Sequence, residues 1–458
     1  MRHTASHHNN THDYTQGNMY TALAGLSAPL IAGNILQQFY NTIDAFVVGR
    51  FAGNEEFAAI GVAGTVMNLF LFMIVGACTG LSVLFARFYG TKDYKMLHRQ
   101  HFTALIAGLI FSVLLCISGN LCMRPILSLI QTPSQIYQYT AEYLWWIFLS
   151  LPAAFLYNMY ASALRASGDT LAALFILMAA VTSNLILDVI FVARMGLGIR
   201  GAAQATAITQ VISAVLCIFY LVWCHREFIF GKDDCRIEKS MLTTTVKCSF
   251  ATAVHQTSLY IGKMLIQGTV NTAGTDAISA YTAATRIEGF ANSFGDSNSA
   301  ATSVMISQNY GSNNKKRVKK GLKCSLTLSF LLGLACAIVL YITAAPASSL
   351  MLGATDNSAL ASSVGYLKII ALFYPFCLTG SSFTGYYNGT GKVFVTLAGS
   401  TGQITIRVIL SWIMFSQMQL NAVSSATGLG WIAANVFWLL YFIFHNKKMH
   451  RQQASYQA

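Results

Sequence analysis

The sequence predicts an all-α polytopic membrane protein of twelve transmembrane helices in two six-helix pseudo-symmetric lobes. Three observations carry that prediction. Hydrophobic residues make up 55% of the 458 and charged residues 10%, against roughly 25% charged in an average soluble domain. A chain of this size cannot hide so much apolar surface from water. Apolar runs long enough to cross a bilayer, about 20 residues each, recur twelve times. Finally, short segments repeat half a chain apart.

The twelve runs lie near 20–49, 58–86, 101–122, 139–164, 171–193, 201–224, 242–271, 277–308, 324–345, 362–388, 394–416 and 426–445. They divide the chain into a polar tail (1–18), an N-lobe (19–224), an inter-lobe loop (225–240), a C-lobe (241–445) and a second tail (446–458). The first tail is polar and His-rich, without the apolar core of a cleavable signal peptide. Of the 29 basic residues, 21 fall in the tails and in the loops that share their side. Such an excess marks the cytoplasmic face, so both termini are expected there, in the inner membrane of the cell.

The repeat shows at two places. Leu84 to Asp93 reads LFARFYGTKD and Met305 to Asn314 reads MISQNYGSNN, an offset of 221 residues; Leu164 to Thr170 reads LRASGDT and Tyr387 to Val393 reads YNGTGKV, an offset of 223. Six spans per repeat is an even number, so both halves begin on the same side and form parallel repeats about an axis along the membrane normal.

Other classes drop out. Six of the ten cysteines (Cys78, Cys116, Cys217, Cys248, Cys336 and Cys377) sit inside apolar runs without metal-ligand spacing. The net charge of +13 clusters beside apolar runs, which suits lipid headgroups rather than nucleic acid. No P-loop, nucleophile elbow or zinc-binding helix motif appears, so the chain reads as a transporter without cofactor and not as an enzyme.

Charges inside a membrane need a partner or a purpose, and four acids lie inside spans: Asp44, Asp188, Glu288 and Asp296. Asp44 ends a stripe of Asn34, Gln37 and Asn41 on one face of the first span, with Tyr40 beside it and Pro29 positioned to bend the helix. That stripe is either helix-to-helix glue or part of a site. Asn184 and Asp188 stand one turn apart on the fifth span; Thr206 on the sixth adds a hydroxyl and Tyr143 on the fourth a phenol. Packed together, these groups make an oxygen-rich site for a proton, or for a sodium ion held by Asp44, Asn184, Asp188 and Thr206. In the second half Lys263 is the expected partner of Glu288 or Asp296. The group is either a fixed packing pair or a second cation or substrate contact, and Arg407 is equally open.

The proline and Asp44 of the first span, the YGTKD and YGSNN segments, LRASGDT, NLILDV (184–189) and GLGIRGAAQAT (196–206) together resemble the multidrug and toxic compound extrusion family, from about residue 20 to 445. The closer likeness is to its DinF-like branch. That resemblance implies a monomeric antiporter exporting lipophilic, cationic organic compounds against protons or sodium, within a lipid bilayer. It places Asp44, Asn184, Asp188 and Thr206 at the cation site, Gln37, Tyr40 and Tyr143 beside it, and Pro29 at the bend of the first span. The substrate or lobe cavity is expected to take in Gln37, Tyr40, Asn41, Tyr143, Lys263, Glu288 and Asp296. A flippase for lipid-linked oligosaccharides, a relative of similar plan, is the alternative that Lys263, Arg286 and Arg407 keep open.

Overall fold

The computed structural model describes residues 14–51, 54–130, 132–273, 275–352 and 357–457; side chains 40–51, 54, 55, 57, 58, 129, 232, 271, 275, 357 and 445–457 lie outside the description. The described residues are helical throughout, without a strand. The elements are α1 (Met19–Phe51), α2 (Asn54–Thr91), α3 (Tyr94–Leu121), a short α4 (Met123–Leu129), α5 (Ser134–Ser167), α6 (Thr170–Asp188), α7 (Gly198–Cys224), α8 (Lys239–Asn271), α9 (Thr275–Gly311), α10 (Lys315–Leu352), α11 (Asn357–Gly389), α12 (Val393–Met418) and α13 (Leu420–Gln457). A π-helical turn, Val189–Arg194, continues α6. Pro29, Pro152, Pro346 and Pro375 lie inside α1, α5, α10 and α11 without ending them, as packed membrane helices allow.

Among the described residues twelve helices are long, as the sequence predicts, and ten of them are apolar enough to count as membrane spans by length and composition. The two that fall short are α8 and α9, the helices carrying Lys263, Arg286, Glu288 and Asp296.

The chain forms two compact units. The first comprises residues 1–18, 24–253 and 307–317, and the second 19–23, 254–306 and 318–458. The expected inter-lobe loop, residues 225–240, lies within the first unit. Its two 3-10 turns, Arg226–Phe228 and Lys232–Asp234, belong to the first unit and are fastened to the start of α3. Asp234 meets His98 at 3.1 Å, Glu238 meets Arg99 at 2.5 Å, and the Phe228 carbonyl lies 2.7 Å from His101 Nδ1. The first half of α8 also stays in this unit because two glycines of α2 let it approach. A Cβ on Gly76 would stand 2.6 Å from Ala253 Cα, and one on Gly80 would stand 2.8 Å from the Cys248 carbonyl.

The second unit has a buried hydroxyl cluster. Thr302 and Ser325 share a hydrogen bond of 2.7 Å, Ser325 and Ser329 both meet Ser382 at 2.7 Å, and Asn298 donates to Ser382 at 3.1 Å. Such small polar residues hold membrane helices together where no hydrophobic drive exists.

The repeat is visible in the turns as hydrogen bonds. Helix α5 ends at Gly168 (φ 92°) and α11 at Gly391 (φ 76°), both left-handed positions that suit glycine. Around the first, Gly168 donates to the Arg165 carbonyl and Asp169 to that of Leu164. Around the second, Gly391 donates to Asn388 and Lys392 to Tyr387, each residue displaced by 223. The turns after α2 and α9 match in the same way. Lys92 and Asn313 share φ 57° and donate to Tyr89 and Tyr310. Asp93 then accepts from the Met96 N–H, as Asn314 accepts from that of Arg317, each residue displaced by 221.

Within the first unit the ends of α2 and α9 cross at the two glycines of these motifs. A Cβ on Gly90 would lie 2.2 Å from the Gln308 carbonyl oxygen, and one on Gly311 would lie 2.2 Å from that of Arg87. Arg87 and Gln308 are themselves 221 residues apart, so the contact is reciprocal.

Behind this crossing, at the turn between α5 and α6, Asp169 caps α6 through the Ala172 N–H at 3.0 Å and accepts from Tyr220 at 2.8 Å. It also meets His225 Nε2 at 3.1 Å, while Glu227 meets the other ring nitrogen at 3.1 Å. Burial alone would lower the His225 pKa, but hydrogen bonds and charge from Asp169 and Glu227 outweigh it and raise the value from 6.5 to about 9. Burial likewise works against ionised Asp169, yet His225, Ala172 and Tyr220 hold its carboxyl below the usual range.

Two outcomes are expected. Gly90→Ala or Gly311→Ala costs about 1–3 kcal/mol by overpacking, whereas Gly402→Ala, with open space around it, is neutral or gains up to about 1 kcal/mol; thermal melts in detergent decide. For His225, the raised pKa adds stability that is fully present below pH 6.5 and lost as the pH climbs through about 9. That alkaline loss, on the order of 2–3 kcal/mol, disappears in His225→Gln when melts are followed across the window.

Candidate functional site

Asn184 and Asp188 close the regular part of α6, one turn apart, and both are buried, Asp188 completely. The helix becomes a π turn at the next residue, a distortion that recurs at functional sites. Thr206, half-buried, lies on α7, which packs against α6 and α5. Tyr143 of α5 is buried, with its hydroxyl 3.9 Å from Met67 Sδ. Pro29 is buried in α1, Gln37 is half-buried on the same helix, and Gly33 rests against Leu174 and Leu177 of α6. Gln37, Tyr143, Asn184, Asp188 and Thr206 are all engaged with neighbouring groups. Tyr40, Asn41 and Asp44 lie on α1, but their side chains fall outside the described residues. The helices bearing the predicted first-half residues thus belong to one compact unit.

No lysine or arginine occurs on α6 from Thr170 to Asp188. Arg165 precedes the helix by five residues; the nearest to Asp188 are Arg194 and Arg200, both exposed, and Arg200 is paired with Glu142 at 3.5 Å.

The second unit holds a different arrangement. Glu288 of α9 is buried and accepts a hydrogen bond of 2.9 Å from the Tyr366 hydroxyl. Tyr374, two turns along α11 from Tyr366, donates to Asn292 Oδ1 at 3.2 Å and approaches the Glu288 carbonyl at 3.4 Å. Tyr281 packs edge-on to Tyr366, with centroids 5.8 Å apart. Of the two cations whose charge reaches Glu288, Arg407 of α12 acts more strongly than Lys263.

The sequence left Lys263 to meet either Glu288 or Asp296, and its charge acts on both. Arg407 and Tyr366 answer Glu288, while Lys263 is the cation that acts on Asp296, and both of those residues are accessible. Arg286 is exposed while Glu288 is buried, as two residues on a helix, about 200° apart, should be. Helical spacing identified the charged faces but not which neighbour each face meets. The two tyrosines were missed although their eight-residue spacing puts them on one face of α11. His255 is buried and satisfied by Ser400 Oγ at 2.8 Å. Among the described residues no group of His, Cys, Asp and Glu side chains could hold a metal ion.

Two chemistries follow. In the second unit the charges of Arg407 and Lys263 act on Glu288, and that of Lys263 on Asp296. In the first, Asn184 and Asp188 set two oxygen-bearing side chains one turn apart, both buried and engaged with neighbours.

The MatE family model matches residues 29–190 and 251–413, once in each half. The probable multidrug resistance protein YpnP of Bacillus subtilis (strain 168) is 27% identical over 389 residues, covering 84% of this chain and 86% of that protein. The multidrug export protein MepA of Staphylococcus haemolyticus (strain JCSC1435) is 22% identical over 422 residues, covering 91% and 90%. Among solved structures, an outward-facing conformation of a multidrug resistance MATE family transporter aligns with a TM-score of 0.88 at 20% identity, over 94% of this chain and 97% of that one. That last likeness is one of fold.

If Arg407 balances Glu288, removing either partner alone costs about 3–5 kcal/mol. Removing both, in Glu288→Gln with Arg407→Met, costs less than the sum. A double-mutant cycle on thermal stability should give a coupling of at least about 1 kcal/mol, and strictly additive effects would refute the pairing.

Proposed function

The chain belongs to the MatE family, and from that premise we propose that it is a secondary antiporter exporting lipophilic, cationic organic compounds in exchange for protons or sodium ions. The observation that carries the coupling site is the buried Asn184–Asp188 pair on a helix that packs against α1. Those helices are the first and fifth of the twelve long ones, so they run in the same direction. Gly33 faces Leu177; Asp44 follows Gly33 by eleven residues, and Asp188 follows Leu177 by eleven. At about 1.5 Å per residue, the backbone brings both acids to one level.

Two carboxylates at one level in a medium of low dielectric cannot both stay ionised without a cation or a shared proton. In the exchange we propose, an incoming ion binds Asp44 and Asp188 with Asn184 and Thr206. It withdraws them from contacts involving Gln37, Tyr40, Asn41 and Tyr143, and bends α1 at Pro29. Substrate affinity falls in the ion-bound state, and exchange requires such differential binding. One charge moving down 100 mV supplies about 2.3 kcal/mol, enough to drive modest uphill export. Lys263 and Asp296, the accessible pair of the second unit, form a cavity contact for substrate, whereas Glu288 and Arg407 stabilise packing. The protein works as a monomer without a cofactor, with both termini cytoplasmic. A coupling site in the first repeat agrees with the DinF-like branch.

The flippase alternative loses its support. Of its three cations, Arg407 acts on Glu288 and Lys263 on Asp296, which leaves Arg286, and the relatives are named for multidrug resistance and multidrug export.

Proteoliposomes given a pH gradient or a sodium gradient separately identify the coupling ion by which one drives efflux of a lipophilic cationic dye. Asp44→Asn and Asp188→Asn should each reduce that efflux at least about tenfold, the effect of some 1.4 kcal/mol on a rate. Full efflux by both variants at normal abundance would place the site elsewhere.

A further inference from the structure

The segment ahead of each repeat is fastened to the start of a helix from the other repeat. Residues 14–17, which precede α1, are held by Arg317 at the start of α10. Its guanidinium donates to the carbonyls of Tyr14 (3.1 Å), Gln16 (2.9 Å) and Gly17 (3.0 Å), and its Nε donates to Asn309 Oδ1 at 2.9 Å. Asn309 returns a bond to the Tyr14 carbonyl at 3.0 Å. Gln308 accepts from the Tyr14 N–H at 3.2 Å and donates to the Ala166 carbonyl at 2.8 Å. Gln308, Asn309 and Tyr14 are all buried.

The counterpart of residues 14–17 at the repeat offset of 221 is 235–238, the end of the loop ahead of α8. That loop is held at the start of α3, by His98 on Asp234 and Arg99 on Glu238. The fastenings correspond in position but not in chemistry. One is an arginine on backbone carbonyls and the other a set of side-chain ion pairs; Arg317 itself corresponds to Met96.

Both fastenings lie in the first unit, as does the Gly90–Gly311 crossing. Gln308 takes part in the crossing and in the first fastening alike. None of these groups lies among the candidate ion ligands, and helix packing alone does not call for residues ahead of the first span to be tied down.

We propose that the two segments are paired clasps which hold the α2–α9 crossing shut, and that their release is a step of each transport cycle, opening the face on which the N-terminus lies. The proposal rests on the antiporter reading for its transport step, but the clasp itself can be tested without transport. An arginine serving three carbonyls makes charge-assisted bonds that together are worth well over one tenfold factor. Losing it should therefore open the crossing measurably.

Ser307 is fully buried beneath the crossing and donates to the Val83 carbonyl at 3.2 Å. In full-length Ser307→Cys protein, modification of position 307 by a water-soluble thiol reagent, followed by mass spectrometry of peptides, reports opening. Adding Arg317→Ala, or removing residues 2–17, should speed it at least about tenfold, while buried Cys217 of the same unit stays protected. An unchanged rate at 307, or an equal rise at Cys217, overturns the clasp. A second protein, Tyr14→Cys with Asn309→Cys, is joined by a short bis-methanethiosulfonate, each end forming a disulfide with one cysteine and releasing a sulfinate, and is compared with itself after reduction. The joined form should lose export and regain it on reduction; equal export in both forms overturns the release step. Absence of ion-driven export from the unmodified chain would refute the antiporter reading and leave the modification result standing.

Discussion

Hydrocarbon offers no hydrogen bond and almost no screening, so every polar group that enters it must be answered from within the protein. Much of this structure can be read as the working out of that constraint. Near the helix ends, where water is close, acids meet cations in simple pairs such as Glu142 with Arg200 and Glu238 with Arg99. Deeper, Glu288 is answered by a tyrosine hydroxyl and by the charge of Arg407 on another helix. Asp188 is completely buried near the end of α6, engaged with neighbouring groups.

The same constraint governs packing. With no hydrophobic drive between helices inside lipid, close approach has to be built from small residues and short polar contacts. The Gly76 and Gly80 contacts bring half of α8 into the first unit, and the serine cluster around Ser382 binds α9, α10 and α11 in the second. The reciprocal crossing of Gly90 and Gly311 is the tightest of these contacts. Around it gather the segments that precede each repeat, which gives the polar tail and the inter-lobe loop a structural part that their composition does not advertise.

What the sequence revealed follows the physics of single helices. Twelve long helices, the repeat offsets and the opposite facing of Arg286 and Glu288 all depend on length, hydropathy and the turn of one helix. The partners of Glu288 depend on how α9, α11 and α12 are rotated against one another, and no one-helix pattern contains that angle. The π turn after Asp188 and the short α4 were missed for a related reason, since an apolar stretch reads alike whether its turns are regular or distorted. The inclusion of half of α8 in the first compact unit depends on two glycines of a helix distant in sequence.

The matching turns carry a consequence for descent. Between LFARFYGTKD and MISQNYGSNN only the Tyr-Gly pair is shared at matched positions, yet the bonds of Lys92 and Asn313 and the caps at Asp93 and Asn314 correspond. Asp93 and Asn314 do the same capping with different functional groups. A duplicated ancestor would leave this signature if selection preserved the path of the main chain while side chains drifted apart. Kinship between the halves is then better measured by comparing backbone bonds than by counting identical letters: at Arg317 the main-chain bond matches that of Met96 while the side-chain bonds do not.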